Sequence, residues 1–368
     1  MAIRITKMKK ILIAIPSLLA TGGEERLALK IAQHFGILNV EIITNKYNPL
    51  DTYPEFQDFE IKTFSKSINR GNFLINQVLS IYRFLKYKNT SKDSIIIALG
   101  FPSHFVAFRN KNMIWYCNTP YRLLYDLKDN YIKALSVFKR PIAYLYTAIL
   151  RLIDLTIVKK IPLIIANSIN VATRIANCYG KNSKVIYPGC DIKENKDMVF
   201  NKILLCVSRL YLEKRVSVVV SAMKFLPDYT LFVVGDGPEK QKLLNMASTN
   251  AKIVGRLSDE ELNDLYDACF CTIYIPEQED FGLIPIESNA HGKMCIGIRE
   301  GGLAETIIDY KTGVFIFYPT PEEISCAVRS IERIDPKTMV IDCIENAKKF
   351  SWDRFCKRIE EVVNEENN

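Results

Sequence analysis

Short β-branched runs alternate with helical patterns along this chain, and the alternation constrains the fold more than any other feature. The strand candidates form two series, residues 11–16, 40–44, 95–99, 112–116, 163–167 and 184–187, then residues 203–207, 229–234, 251–254, 270–275, 294–297 and 313–316. The helical patterns include residues 25–35, 78–86, 240–247, 259–267 and 352–363. Such alternation predicts an α/β protein of two doubly wound domains with parallel sheets. Ligands bind such sheets at the carboxyl ends of the strands, so the loops that follow strands are expected to carry the function.

Positive charge is concentrated in the first half of the chain. Residues 1–187 carry 27 Lys and Arg against 11 Asp and Glu, a balance of +16, whereas residues 188–368 carry 22 against 30, a balance of −8. This asymmetry indicates an anionic partner on one side only, and solvated surface lysines explain it about equally well. The charge is spread over many elements and no nucleic-acid-binding motif accompanies it, so no nucleic-acid partner is expected.

The cysteines and histidines do not have the spacing of a metal site. Ten cysteines are scattered without a CxxC pair, and His34, His104 and His291 lie far apart in sequence. Disulfide scaffolds are typical of smaller secreted chains, so free thiols in a reducing cytoplasm are predicted.

The apolar run at residues 11–20 has two interpretations. Lysines precede it, as they would in a signal peptide. Pro16 interrupts the run, however, and Gly22 and Gly23 follow at once, which favours a buried parallel strand that leads into a glycine loop.

A second apolar stretch, residues 134–158, contains Lys139, Arg140, Arg151 and Asp154. These charges argue against a transmembrane helix, and none is predicted in the chain. The stretch predicts one or two amphipathic helices that pack on the core, with a position on a membrane surface as the alternative.

Gly22 and Gly23 lie between the first predicted strand and the first helix. Glycines there bring a ligand close to the N–H groups at the start of the helix, which suits an anion. A tight strand-to-helix turn would have the same sequence, so the signal is weak when taken alone.

Two further loops follow the first two strands of the second series. Arg209 and Lys214 suit a diphosphate, because two cations neutralise it when bound and stabilise the charge that grows as it leaves. A solvated charge cluster is the alternative. Asp236 and Gly237 follow the next strand, where a structural turn is at least as good an explanation as ligand contact.

The segment 277–287, Glu-Gln-Glu-Asp-Phe-Gly-Leu-Ile-Pro-Ile-Glu, is the most informative one. Glu279 is expected in a loop and Glu287 in the first turn of a helix, both facing the cleft between the two sheets. One carboxylate suits sugar hydroxyls and the other suits a ribose diol, whereas an acidic helix cap explains only part of the pattern. The backbone N–H groups predicted to point at a bound anion are those of Phe281, Gly282, Leu283 and Ile284.

Eight motifs follow one another in a recognisable order. They are residues 22–23, 115–122 (Trp-Tyr-Cys-Asn-Thr-Pro-Tyr-Arg), 166–168, 187–191, 209–215, 235–238, 279–287 and 301–305. Together they resemble the family-4 retaining glycosyltransferases, and the resemblance covers nearly the whole chain. It implies the GT-B architecture, two Rossmann-like domains that face each other across a cleft. Segment 115–122 is similar to a subgroup rich in mannosyltransferases that build lipid-linked or surface polysaccharides.

The resemblance also implies roles for the residues that match. Arg209 and Lys214 would bind the donor diphosphate, Glu287 would hold the nucleotide ribose, and Glu279 would bind the donor sugar together with the backbone from Phe281 to Ile284. Asp236 and Gly237 join them as donor-binding candidates, and Gly22 and Gly23 would shape the loop near the diphosphate and the acceptor. Neither a metal nor a cofactor is implied, because the nucleotide-diphosphate sugar is itself the donor substrate.

One catalytic candidate, Asn118, departs from the family's pattern. The family usually has His there, and that His is thought to contact the transferred sugar. Asn donates a hydrogen bond but carries no proton near neutral pH, so the identity of the sugar and any proton role of Asn118 stay open. His104, one strand earlier, is not expected to replace it.

The predicted activity is therefore transfer of a mannose- or glucose-type hexose, with retention and without a metal, to a lipid-linked or polysaccharide acceptor. The predicted domains are residues 1–187 for the acceptor, residues 188–350 for the nucleotide sugar, and residues 351–368 as a helix that crosses back to the first domain. The basic first domain is expected to place the protein in the cytoplasm, peripherally at the membrane. A sugar-phosphate synthase or nucleotide-sugar epimerase of the same architecture and a non-catalytic sugar-nucleotide-binding scaffold are the alternatives.

Overall fold

The structure is a computed structural model that describes residues 10–65, 73–91, 93–193 and 199–365. The chain forms two compact units: the first comprises the residues up to Tyr187 together with those from Cys356 onward, and the second is Pro188–Phe355. The lysines at positions 7 and 9, on which the signal-peptide interpretation depends, lie outside the described residues.

The first unit contains a parallel sheet of seven strands, ordered β3-β2-β1-β4-β5-β6-β7. The strands are β1 Lys10–Ile15, β2 Val40–Thr44, β3 Glu60–Thr63, β4 Ser94–Leu99, β5 Met113–Cys117, β6 Leu163–Ala166 and β7 Lys184–Val185. Strands β2, β4 and β5 are buried at every residue, which explains why they appear in the sequence as nearly continuous apolar runs.

Strand β3 was not predicted, because its charged residues interrupt the apolar pattern by which the other strands were identified. It lies at the edge of the sheet, where Glu60 and Lys62 are exposed. The ammonium of Lys62 lies 2.9 Å from a carboxylate oxygen of Glu41 on the neighbouring strand, and Lys10 lies 3.2 Å from the other oxygen. Charges on an edge strand oppose pairing with a strand of another chain. The charged residues that obscure β3 in the sequence therefore also protect it from such association.

The second unit contains a parallel sheet of six strands, ordered β10-β9-β8-β11-β12-β13. The strands are β8 Ile203–Val207, β9 Thr230–Val234, β10 Ala251–Gly255, β11 Cys271–Tyr274, β12 Met294–Ile298 and β13 Gly313–Ile316. All six correspond to predicted strands, with ends that differ by at most one residue, and the prediction of two parallel-sheet α/β domains is confirmed.

Helices cover both sheets. They are α1 Gly23–Phe35, α2 Phe73–Lys86, α3 Lys128–Lys133, α4 Arg140–Val158, α5 Ile169–Tyr179, α6 Val216–Ala222, α7 Lys240–Met246, α8 Asp259–Ala268, α9 Leu283–Ala290, α10 Leu303–Thr306, α11 Pro321–Ile331, α12 Pro336–Lys348 and α13 Trp352–Glu365. Two of the family motifs have clear structural roles: Ser168 accepts a hydrogen bond from the backbone N–H of Val171 at 3.0 Å and caps α5, and Gly189 packs against the backbone of Trp352 at the start of α13.

Helix α13 begins in the second unit and ends in the first. In the first unit, Glu360 lies 3.0 Å from Nε2 of His34 on α1, and the thiol of Cys356 donates to the carbonyl of Lys30 at 3.6 Å. The buried side chains of Ile359 and Val362 add apolar contact area, so the helix completes the cover over α1.

Helix α4 has one face in the core and one in solvent. Thr147, Leu150 and Asp154 are buried, whereas Leu145 and Leu152 are 63% and 66% exposed. Within the described residues, Val137–Val158 is long and apolar enough to cross a membrane, judged by length and composition alone. The expectation that the chain has no transmembrane helix stays a prediction, and the carboxylate of Asp154 on this helix is paired with His104 inside the unit.

Candidate active site

The centre of the candidate site in the second unit is a contact between Lys214, Glu279 and Tyr274. Lys214 Nζ donates to Glu279 Oε2 at 2.6 Å and to the Tyr274 hydroxyl at 3.2 Å, and that hydroxyl donates to the same Oε2 at 2.8 Å. The side chains of Lys214 and Glu279 are only 12% and 18% exposed. The predicted cation and carboxylate thus meet at the carboxyl edge of the sheet, as the loop positions require.

Tyr274 is the member of this cluster that the sequence reasoning missed. It is the last residue of β11, and its apolar neighbours make it look like a core residue. Burial, and then the charge of Glu279, raises the pKa of its phenol well above the usual value, so it remains a hydrogen-bond donor. An aromatic hydroxyl that ends a buried strand directly before an acidic loop is the signal that could have revealed it.

Arg209 lies at the carboxyl end of β8, near this cluster. Its side chain is exposed, and its guanidinium carbon lies 5.6 Å from the ring centre of Tyr211. It is close enough to Tyr274 for its positive charge to oppose the rise in the pKa of the phenol. Two cations therefore converge on one end of the sheet, where they can bind a diphosphate.

Backbone packing fixes the loop that carries Arg209. A Cβ on Gly235 would overlap the carbonyl oxygen of Ser208, and the N–H of Leu210 donates to the carbonyl of Asp236 at 3.0 Å. The Asp236 carboxylate accepts from the N–H of Gly237 at 2.9 Å, which is a local turn contact. Asp236 and Gly237 therefore have structural roles in holding Arg209, in line with the structural alternative.

Two residues beside the cluster adopt the left-handed backbone conformation although neither is glycine: Arg215 has a φ of 53° and Gln278 a φ of 51°. Both contact Glu300, whose carboxylate lies 3.5 Å from Arg215 Nη1 and 3.5 Å from the N–H of Gln278. Such conformations persist where the surroundings hold them, and they are common at functional sites. Here they flank Lys214 and Glu279.

The predicted anion-binding segment opens α9, and a second glycine loop supports it. Gly302 donates its N–H to the carbonyl of Glu279 at 2.9 Å, and a Cβ there would overlap Cα of Phe281. Gly282 caps α9, so the N–H groups of Leu283 and Ile284 have no partner within the helix. Phe281 itself is buried, at 3% exposed.

Glu287 lies one turn later than predicted. Helix α9 begins at Leu283, so Glu287 is in its second turn, and its Oε2 accepts a hydrogen bond from the Tyr266 hydroxyl at 3.2 Å. Glu279 is held by Lys214 and Tyr274 instead. The two predicted carboxylates therefore have different partners, which agrees with separate tasks for them.

The remaining candidates, Gly22, Gly23 and Asn118, belong to the first unit. Gly22 caps α1, which begins at Gly23, and Asn118 follows β5 directly. Strands β1, β4 and β5 are neighbours in the sheet, so these residues share its carboxyl edge. A hydrogen bond holds the segment after Asn118 in place, since Arg174 on α5 donates to the Thr119 hydroxyl at 3.2 Å.

Glu24, the second residue of α1, is a candidate that the sequence reasoning did not single out. Its carboxyl group packs against Gly100 at the end of β4, and its Oε1 atom is buried without a hydrogen-bond partner among the described residues. Burial, and to a smaller extent the charge of Glu25, raises the pKa of Glu24 to about 8. A largely protonated carboxyl group therefore lies on the same sheet edge as Asn118.

His104 lies in the core of the first unit and not at this edge. Its Nε2 atom is 2.8 Å from a carboxylate oxygen of Asp154, and its ring stacks on Trp115 at 4.3 Å between ring centres. Tyr125 and Tyr179 donate to the other oxygen of Asp154 at 2.6 and 2.9 Å. With His104 only 1% exposed, the structure agrees with the expectation that it does not replace Asn118.

All ten cysteine thiols are free, and eight of them are buried. Across residues 10–65, 73–91, 93–193 and 199–365, no group of three or more His, Cys, Asp or Glu side chains is placed to hold a metal ion.

Comparison with known proteins gives a consistent result. The family model of glycosyl transferases group 1 matches residues 192–350. An uncharacterized glycosyltransferase of Methanocaldococcus jannaschii is 27% identical over 209 residues, 53% of this chain and 58% of that protein, so the match spans little more than half of that relative. The human alpha-1,3/1,6-mannosyltransferase ALG2 is 23% identical over 402 residues, 94% of this chain and 93% of that protein.

The fold is also found among solved structures. The crystal structure of Anabaena HepE in complex with UDP and glucose is 17% identical and matches 97% of this chain and 99% of that chain, with a TM-score of 0.72. This likeness confirms the predicted GT-B fold.

Proposed function

We propose that this chain, whose residues 192–350 match the family model of glycosyl transferases group 1, transfers a hexose of the mannose or glucose type from a nucleotide-diphosphate sugar to an acceptor hydroxyl. The observation that carries the proposal is the contact of Lys214, Tyr274 and Glu279 beside Arg209. The relatives support the donor class, because one is named a mannosyltransferase and HepE was solved with UDP and glucose.

Lys214 is held so that it can serve the donor diphosphate. An ammonium group has three N–H donors, and among the described residues Glu279 and Tyr274 take two of them. The third remains for a phosphate oxygen, with Arg209 as the second cation. The N–H groups of Leu283 and Ile284 at the start of α9 add uncharged donors for the same anion.

The two carboxylates divide the recognition of the donor. Glu279, held by Lys214 and Tyr274, accepts hydrogen bonds from hydroxyls of the transferred sugar. Glu287, which the Tyr266 hydroxyl orients, accepts hydrogen bonds from the ribose. This division follows from their separate partners and from the resemblance of segment 279–287 to the family's donor site.

The proposed reaction proceeds with retention by attack on the face that the diphosphate leaves. The acceptor oxygen forms the new bond to the anomeric carbon, the bond from that carbon to the diphosphate oxygen breaks, and the leaving diphosphate takes the acceptor's proton. Lys214 and Arg209 stabilise the negative charge that grows on the diphosphate, which is the main contribution of the protein. No metal is required in this scheme.

The acceptor belongs to the first unit in this proposal. Gly22 and Gly23 shape the loop beside it, and Asn118 donates a hydrogen bond to the transferred sugar. A lipid-linked or polysaccharide acceptor suits the +16 balance of residues 1–187, and the exposed face of α4 suits peripheral contact with a membrane on the cytoplasmic side.

A panel of GDP- and UDP-sugars tests the donor proposal. The true donor is expected to raise the thermal midpoint more than the other sugars at equal concentration, because binding to the folded state alone stabilises it by an amount that grows with the logarithm of the affinity. Transfer to an acceptor is then followed by NMR of the product, where an unchanged anomeric configuration is expected, with and without EDTA. An inverted product, an epimerised or hydrolysed donor without transfer, or loss of turnover in EDTA would each contradict the corresponding part of the proposal.

Membrane contact is tested separately by co-sedimentation with vesicles of phosphatidylcholine, with and without phosphatidylglycerol. Binding is expected only to the anionic vesicles and is expected to weaken as salt is raised. Absence of binding to anionic vesicles at low salt would rule out the membrane part and leave the donor chemistry intact.

A further inference from the structure

Beside α4, the first unit has an apolar groove of about 1040 Å³ that glycosyl transfer itself does not explain. Its walls come from α2, from the segment that follows β5, from α3 and from α4. Leu79, Ile132, Leu135 and Ile142 are among the apolar side chains that line it. A volume at the upper end of the range for small-molecule sites is enough for a long ligand.

One end of the groove lies at the candidate acceptor site. Thr119, Tyr121 and Arg122 line it, and they follow Asn118 at the carboxyl edge of the sheet. The wall is fixed at this end, because Gln77 of α2 donates to the Tyr121 hydroxyl at 2.7 Å and accepts from Tyr146 of α4 at 3.1 Å. Hydrogen bonds therefore fix the shape of the groove at this end, and the groove is continuous with the segment that follows Asn118.

The other side of the groove opens on an apolar surface. Phe138 and Val137 are 92% and 67% exposed, and Ile142, which lines the groove, is 72% exposed. A monomeric soluble surface rarely exposes such a continuous apolar patch without a partner. A hydrocarbon chain that extends out of the groove on this side would therefore contact apolar side chains as well as water.

The charges around the groove select an anionic partner. Residues 122–160 contain eight Lys and Arg against three Asp and Glu, and one of those acids, Asp154, is buried against His104. Lys139 and Arg122 themselves line the groove, and Arg122 lies 2.8 Å from Asp126. An apolar trough with cations at its rim complements a molecule that joins a hydrocarbon chain to a phosphate.

We infer that this groove holds the hydrocarbon chain of a single phosphate-bearing lipid acceptor, with the phosphate beside Arg122 at the end of the groove that leads to Asn118. The inference rests on the proposed function for the role of that lipid as the acceptor. It goes beyond membrane contact, because the chain enters the protein and the enzyme thereby recognises the lipid carrier itself. Its sugar end then extends toward Asn118.

Monomeric alkyl phosphates of eight, ten and twelve carbons, each used below its micellar concentration, test the groove by calorimetry. The dissociation constant is expected to fall by up to about fourfold for each added methylene, because each buried methylene contributes about 0.8 kcal/mol. Inorganic phosphate is expected to bind far more weakly than dodecyl phosphate. Affinity that is independent of chain length, or phosphate binding as tight as that of dodecyl phosphate, would overturn the proposal.

Two matched substitutions on α4 locate the binding. Ala143 lines the groove and Ala148 does not, although both are on the same helix. Ala143→Trp is expected to weaken dodecyl phosphate at least tenfold, whereas Ala148→Trp changes it less than twofold. Equal effects of the two substitutions would place the lipid outside the groove and contradict the inference.

A charge variant supports the test if Ala143→Trp proves unstable. Arg122→Gln is expected to weaken all three alkyl phosphates by the same factor, about threefold to tenfold, and to leave the dependence on chain length unchanged. Failure of Arg122→Gln to weaken any of them would contradict the assigned position of the phosphate.

Thermal stabilisation by the donor nucleotide keeps this inference distinct from the proposed function. The variants at 122, 143 and 148 are expected to retain it, because the donor residues belong to the second unit. Dodecyl phosphate binding in a protein without sugar transfer would contradict only the proposed function. Transfer at the same rate to acceptors with short and long chains would contradict only the groove.

Discussion

The cluster of Lys214, Tyr274 and Glu279 in the second unit and the groove of the first unit are built in opposite ways. At the cluster, a few polar side chains are fixed by short hydrogen bonds, such as the 2.6 Å contact of Lys214 with Glu279, and glycine loops pack directly behind them. The groove has an apolar lining of about 1040 Å³ and cations only at its rim. The cluster is suited to a compact charged group, whereas the groove is suited to a long apolar chain.

This difference predicts how each region responds to change. A preorganised polar cluster loses function sharply when one member is removed, because the remaining charges keep their desolvation cost without their partner. An apolar trough loses affinity gradually, in proportion to the surface that is no longer buried. Three substitutions test the polar cluster and a fourth tests the buried carboxyl group of Glu24 in the first unit, the one expected to have the largest effect first.

Lys214→Ala is expected to lower kcat/KM at least 100-fold, about 2.7 kcal/mol of transition-state stabilisation. The loss removes a cation from the departing diphosphate and leaves Glu279 without its strongest partner. Steady-state kinetics measure it, with Lys242→Ala as the control, because Lys242 is exposed and pairs only with Glu239 among the described residues. Near-normal turnover by Lys214→Ala would remove its role.

Gly302→Ala is expected to destabilise the protein by about 2 kcal/mol and to weaken the donor nucleotide, because a Cβ there overlaps Phe281 and displaces the Glu279 loop. Gly180→Ala is the matched control: it has a φ of 63°, but nothing lies within 4 Å of its added Cβ. It is expected to cost about 1 kcal/mol without any change in nucleotide binding. Thermal melts with and without nucleotide distinguish the two, and equal nucleotide effects would contradict the supporting role of Gly302.

Tyr274→Phe is expected to lower kcat about tenfold, about 1.4 kcal/mol, while the protein stays folded. The ring still fills its place in the core, but the hydroxyl that contacts Lys214 and Glu279 is lost. A double-mutant cycle with Glu279→Gln measures whether the two side chains act together. Additive effects in that cycle would show that Tyr274 does not position Glu279.

Glu24→Gln is expected to change the pH dependence of stability. The folded pKa of about 8 lies above the ordinary value of 4.5, so between those values the folded state holds a proton that the unfolded state releases. Stability therefore falls as pH rises from 4.5 to about 8, with a slope of at most about 1.4 kcal/mol per pH unit.

Thermal melts of Glu24→Gln between pH 5 and pH 9 are expected to lack that decline, whereas the exposed control Glu55→Gln retains it. A decline of the same size in Glu24→Gln and in the parent protein would assign it to another group.

The sequence was informative where chemistry demands particular residues. The convergence of Arg209, Lys214 and Glu279 at one edge of the sheet could be predicted because charged side chains in loops that follow apolar strands have few structural explanations. Tyr274 could not, since a tyrosine at the end of a buried strand is ordinary core material, and its role depends on a contact with Lys214 that is 60 residues away in sequence.

The first unit was harder to predict for a related reason. Apolar residues that line a groove have the same helical spacing as residues that fill a core, so Leu79 and Ile142 gave no separate signal. The carboxyl group of Glu24 looked like a favourable charge at a helix start, and only the position of Gly100 across the sheet shows that it is buried. Strand β3 was missed because the charged residues that protect its edge do not form the pattern of a buried strand.

The position of helix α13 at the end of the chain determines when the first unit can be completed during synthesis. The sheet of the first unit leaves the ribosome early, but α1 acquires the contacts of His34 and Lys30 only when residues 356–365 have been made. The half of the protein that is translated first is therefore completed last, and until then the apolar surface that Ile359 and Val362 later cover stays open to chaperones.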